Sequence, residues 1–178
     1  AGLYKIILTD NNDCKDSTSV SIQEPVKLSV TNKLTLPECD GQKGSFSLTV
    51  SGGTTPYGFE WLDGAGGLYA ATQNVVSVDV GSYTYTVTDG NQCSYSDTNS
   101  IYEPPKLELT TSKVTPNICI NDKNGGVDLT ASGGTKPYTY RLNSGTFQTS
   151  ATFGSLAVGR FTALVQDKNA CSDTTIFN

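Results

Sequence analysis

Six-residue strings ending in cysteine return along this chain at a nearly constant interval, and that period restricts the fold more than any other feature. TDNNDC (9–14), TDGNQC (88–93) and QDKNAC (166–171) end at Cys14, Cys93 and Cys171, so the steps are 93 − 14 = 79 and 171 − 93 = 78. SGGTTPY (51–57) returns as SGGTKPY (132–138) after 81 residues, Cys39 as Cys119 after 80, and Glu24-Pro25 as Glu103-Pro104 after 79. Ordered landmarks at one period mean that each copy is one structural unit. The chain therefore divides into a C-terminal remnant of a preceding repeat (1–25), a complete repeat (26–104) and a third repeat (105–178) truncated at its last strand. Two strands cannot cover their own apolar face, so the expectation is a parent protein that continues upstream, and by the same period downstream.

Within the complete repeat Phe46, Leu48 and Val50 alternate with Ser45, Ser47 and Thr49, the period-2 pattern of a strand with one buried face. Tyr57, Phe59 and Trp61 repeat it, as do Tyr83, Tyr85 and Val87. The third repeat keeps the inward set as Val127, Leu129 and Ala131, then Tyr138, Tyr140 and Leu142, then Phe161, Ala163 and Val165. No window carries helical spacing, and Gly-Gly, Asp-Gly and Asn-Gly turns recur about every ten residues. About seven short strands per repeat predict an all-β chain of tandem small immunoglobulin-like sandwiches. The Glu-Pro linker leads at once into a new strand (Val26 to Val30, Leu107 to Thr111), too short for a tether, so the repeats are expected to stack end to end as a semi-rigid rod.

Composition removes several functions. His is absent, and with it the usual general base, the Ser/His/Asp triad and the commonest metal ligand. A net charge of −5 without a basic cluster argues against nucleic acid, and no apolar run reaches the length of a bilayer span. Five cysteines point to an oxidising compartment, and the odd number leaves at least one to pair outside the segment. The expectation is a protein that is not an enzyme.

The ordered landmarks, a Cys in a Gly/Asp loop, SGGTTPY, the strand with Trp61, VGSYTYTVTDGNQC and a closing Glu-Pro, resemble the SprB repeat. The resemblance covers the complete repeat, the available part of the third and the tail of the first. It implies large surface adhesins of gliding and related Bacteroidetes, type IX secretion, an extracellular cell-surface location and, in gliding members, movement of the adhesin along the cell. The implied partners are neighbouring repeats, with surface glycans or other surface proteins beyond them. A carbohydrate-binding or spacer module of a secreted hydrolase is the alternative; exposed coplanar aromatics would favour it, with Tyr69, Tyr95 and Tyr102 as candidates.

SGGTTPY lacks the helix N-terminus of a phosphate loop and reads as an inter-strand turn in which Gly52 and Gly53 supply positive φ and Pro56 fixes the exit. Asp89 and Asn91, with Asp10, Asn12, Asp167 and Asn169, carry oxygens that Ca²⁺ could use, but a hairpin turn satisfied by its own short side chains is the stronger reading. No cofactor is expected. Glu60 and Asp63 read as solvated surface. A disulfide needs Cα atoms within about 7 Å. Cys39 and Cys93 sit at opposite ends of a strand of roughly 20 Å. A Cys39–Cys171 bond between repeats is therefore favoured, with Cys14 and Cys93 pairing upstream and Cys119 downstream. Cys39–Cys93 with Cys119–Cys171 is the runner-up, and free thiols rank third. The resemblance also implies O-glycans at Asp-Ser/Thr sites, which Ser17 and Thr174 match.

Overall fold

The computed structural model describes residues 1–119 and 123–178. Fifteen β-strands and no helix occur among them. The strands of the complete repeat are β3 (Ser29–Thr35), β4 (Gly44–Ser51), β5 (Gly58–Asp63), β6 (Leu68–Ala70), β7 (Asn74–Val78), β8 (Gly81–Thr88) and β9 (Ser94–Ile101). They form two sheets, β3-β4-β7 and β6-β5-β8-β9. The chain changes sheet between β4 and β5, between β6 and β7 and between β7 and β8, so β5 and β8 become neighbours without being consecutive. This is the Greek-key connectivity of an immunoglobulin-like sandwich.

The third repeat repeats the order with β10 (Glu108–Thr115), β11 (Gly125–Ser132), β12 (Thr139–Leu142), β13 (Thr152–Leu156), β14 (Phe161–Gln166) and β15 (Ser172–Phe177), arranged as β10-β11-β13 and β12-β14-β15. Among its described residues it has six strands where about seven were expected. The position of β6 is taken by a single bridge between Tyr140 and Gln148. Residues 1–25 hold the hairpin β1 (Gly2–Thr9) and β2 (Lys15–Ile22), paired from Gly2↔Ile22 to Thr9↔Lys15.

By contacts the chain forms two compact units, one of residues 1–33, 47–74 and 83–99, the other of 34–46, 75–82 and 100–178. The boundary between them cuts across strands of the complete repeat and does not follow the repeat boundary. In the first unit Leu28, Val30, Leu48, Trp61, Tyr83, Tyr85 and Val87 are buried. In the second, Leu107, Leu109, Val127, Leu129, Tyr140, Ala163, Val165 and Phe177 form one core drawn from both sheets of the third repeat. The inward alternation expected from sequence is thus the buried face. On β1 the equivalent positions Tyr4, Ile6 and Leu8 are exposed.

One strand starts later than the sequence suggests. Pairing on β3 begins at Ser29 and Val26 is exposed, because the Val26 carbonyl accepts from Gly53 N–H at 2.6 Å instead of joining a ladder. Pro105 does the same for Gly134 at 2.7 Å.

Candidate functional site

The turn between the last two strands is built identically three times. Asp89 Oδ1 accepts from Asn91 N (2.9 Å) and Cys93 N (2.8 Å), Asp167 Oδ1 from Asn169 N (2.9 Å) and Cys171 N (2.9 Å), and Asp10 Oδ1 from Asn12 N (2.8 Å) and Cys14 N (2.9 Å). A short carboxylate here replaces the backbone acceptors that a turn cannot supply. The residue before each cysteine, Asp13, Gln92 or Ala170, takes φ near +65° (64°, 66° and 65°). These oxygens are engaged by N–H groups, as the turn reading expects, and no cluster of three His, Cys, Asp or Glu suited to a metal occurs among the described residues.

The second carboxylate oxygen locks the turn to the SGG loop. Asp89 Oδ2 accepts from Thr54 N at 2.9 Å and Asp167 Oδ2 from Thr135 N at 2.7 Å. A Cβ on Gly53 would lie 2.8 Å from Asp89 Oδ2, and one on Gly134 2.7 Å from Asp167 Oδ2, so the approach requires glycine. Both aspartates are buried. Burial pushes the Asp89 pKa up, but the N–H groups of Thr54, Cys93 and Asn91 outweigh it and hold the carboxyl below its ordinary value. Tyr57 and Tyr138 close the loops by donating to the Gly52 and Gly133 carbonyls.

The Cys39 loop meets the Cys171 hairpin within the second compact unit. Cys39 and Cys171 are disulfide-bonded, with Cα atoms 5.7 Å apart. Asn169 Nδ2 donates to the Glu38 carbonyl at 3.1 Å while sharing Thr135 Oγ1 at 3.3 Å. Gln42 Oε1 accepts from Glu38 N and Cys39 N, and Glu103 Oε2 accepts from Gly41 N at 2.6 Å. Glu103, at the end of the complete repeat, thus holds the loop that carries the disulfide. Sequence reasoning gave Glu103 only a linker role, although its recurrence as Glu24 was a signal for something more. It read Asp173 only as part of the Thr174 glycosylation motif, whereas Asp173 Oδ2 accepts from Leu109 N at 2.7 Å and ties β15 to β10.

The remaining cysteines and candidates lie elsewhere. Cys14 and Cys93 are exposed free thiols, and Cys119 is exposed. Ser17 and Thr174 are exposed on β2 and β15. Glu60 lies on β5, and Asp63 Oδ1 accepts from Ala65 N and Gly67 N to form the next turn. Tyr69 packs on Tyr83 with centroids 4.8 Å apart and Tyr95 stacks on Tyr85 at 6.3 Å, leaving only Tyr102 of the three aromatic candidates strongly exposed. A cleft of about 450 Å³ lies by Val114, Gly125, Leu156, Phe161 and Phe177. In the complete repeat the matching Gly44 faces the Ile101 side chain, eight residues after Cys93.

Residues 37–66 and 111–147 each match the SprB repeat. Two regions of the chain are thus similar to the SprB repeat. The first match runs from the Cys39 loop through β4 and the SGG loop to the turn after β5, and the second covers the corresponding part of the third repeat together with the end of β10 before it. The SprB matches stop short of the cysteine hairpins, which repeat with the same period. Among solved structures, the crystal structure of a C-terminal 282-residue fragment of intimin in complex with the intimin-binding domain of the translocated intimin receptor aligns over 87% of this chain at 14% identity, TM-score 0.46. The chain spans 64% of that fragment. No curated protein matches the chain.

Proposed function

We propose that the chain is a non-enzymatic segment of a large extracellular surface adhesin, in which SprB repeats stack as a semi-rigid stalk and the adhesive activity lies elsewhere in the parent. The observation that carries this reading is the Cys39–Cys171 bond between successive repeats, with Asn169 and Glu103 holding the loop beside it. Matching turns at Cys14 and Cys93 support the same bond to preceding repeats, and the period of Cys39 and Cys119 supports one to a following repeat. Export by type IX secretion, a role in gliding, and O-glycans on Ser17 and Thr174 follow from the SprB likeness and belong to this proposal.

The test replaces the segment in the parent protein with an unrelated rigid rod of equal length. Restored surface display and adhesion are expected. Loss of adhesion with display intact would show that the segment itself binds, and would overturn the stalk reading.

A further inference from the structure

The disulfide joins the loop after β3 to the residue before β15, 132 positions apart. Strands β4 to β14 therefore lie wholly inside one covalent ring, and only β1, β2, β3 and β15 lie outside it. β3 and β15 are both edge strands of their sheets.

We propose that the Cys39–Cys171 bond is a tension bypass: load applied to the two ends of the chain passes from β3 through the disulfide to β15, and the enclosed strands cannot be drawn out. Hydrogen-bonded strands and an apolar core yield to force, whereas the S–S bond does not open when they do. With the bond intact only 178 − 132 = 46 residues of backbone are free to extend. At about 3.6 Å per residue that is roughly 165 Å, against about 640 Å for the uncrosslinked chain. The Glu103–Lys106 linker between the two repeats lies inside the ring and is protected from extension.

In the tandem array proposed above the rings interlock. Cys119 lies inside the ring closed by Cys39 and Cys171, so a bond from Cys119 to the next repeat would start a second ring before the first ends. The stretch left in the load path between Cys93 and Cys119 is 119 − 93 = 26 residues, holding β9, the linker and β10. Such an array keeps its length under pull after individual cores have opened. The single-chain proposal does not depend on the stalk reading; its meaning in the array does.

Single-molecule force spectroscopy on the 178-residue chain, held at residues 1 and 178, tests the bypass. Oxidised chains are expected to reach a full extension of about 165 Å, rising nearly fourfold in a phosphine reductant and in the doubly substituted Cys39→Ser, Cys171→Ser chain. Contour length is covalent, so the comparison holds even if the variant folds poorly. Oxidised chains extending to about 260 Å, the length left by Cys39–Cys93 and Cys119–Cys171 bonds, or to the full 640 Å, would overturn the bypass. Short extension together with adhesive activity in the isolated segment would keep the bypass and sink the stalk reading instead.

Discussion

The complete repeat and the third repeat reach the same fold with different interiors. In the complete repeat Trp61 faces Tyr85 across β5 and β8, with centroids 5.0 Å apart, and Trp61 Nε1 donates to the Thr72 carbonyl at 2.8 Å. In the third repeat the same register pairs Leu142 with Ala163. The large aromatic pair comes with a strand, β6, alongside β5, and the small aliphatic pair with only the Tyr140–Gln148 bridge. The aspartate turn and its lock to the SGG loop are the same in both. The difference teaches that the hairpin and loop are specified separately from the volume of the core beneath them, so the cysteine is presented in one geometry over two unlike interiors.

The sharpest way to break this comparison is to empty both cores. Trp61 is fully buried, and Trp61→Ala is expected to cost about 4 kcal/mol. Leu142 is half-buried, and Leu142→Ala is expected to cost about 1 kcal/mol, half or less of a fully buried leucine. Guanidinium unfolding of the oxidised chain measures both. Equal losses would mean that the third repeat leans on Leu142 as the complete repeat leans on Trp61, and that the two interiors are not different in kind.

The turn is expected to matter next. Asp167 takes up three backbone N–H groups, from Thr135, Asn169 and Cys171, and Asp167→Ala leaves them without that acceptor. At about 1 kcal/mol each the loss is about 3 kcal/mol. A loss below about 0.5 kcal/mol would show that water replaces the carboxylate and that the turn is held by its strands alone. For Asp89 the comparison is drawn with pH. Its carboxyl sits below the ordinary value in the fold, so it favours the folded state above its unfolded pKa, about 3.9, and that contribution is lost as pH falls through the lower folded value. Asp89→Asn is expected to reduce stability at neutral pH and to converge with the parent below the folded pKa; parallel acid-unfolding curves would refute the assignment.

Much of this was legible in the residues. The inward alternation and the turn asparagines anticipated the buried face and the hairpins, since each depends on local spacing. The reach of a disulfide, the length of β4 and end-to-end stacking were enough to favour Cys39–Cys171. What spacing cannot give is a partner 62 or 64 positions away: Glu103 with Gly41, or Asp173 with Leu109, is set by how loops meet after folding. The start of β3 was misjudged for the same reason, because the Val26 carbonyl is claimed by a glycine in a distant loop. The missing β6 in the third repeat had a local correlate in Leu142 replacing Trp61, but not one that predicts the loss of a strand.

The smallest expected effect isolates one half of the aromatic pair. Burial, with added contributions from Asp97 and Tyr95, pushes the Tyr85 hydroxyl up to about 12, and at the matching position of the third repeat Ala163 carries no ionisable group. A tyrosine whose pKa is raised on folding favours the folded state fully below its unfolded value near 10, and that contribution disappears as pH rises through the folded value. Tyr85→Phe keeps the ring against Trp61 and removes the ionisation. Near pH 7 its stability should lie within about 1 kcal/mol of the parent. In alkali it should unfold at higher pH than the parent, followed by circular dichroism, and lose the last step of the phenolate absorbance titration. An unchanged alkaline midpoint would mean that the Tyr85 hydroxyl reaches water in the folded chain, and that the aromatic pair differs from Leu142–Ala163 in size alone.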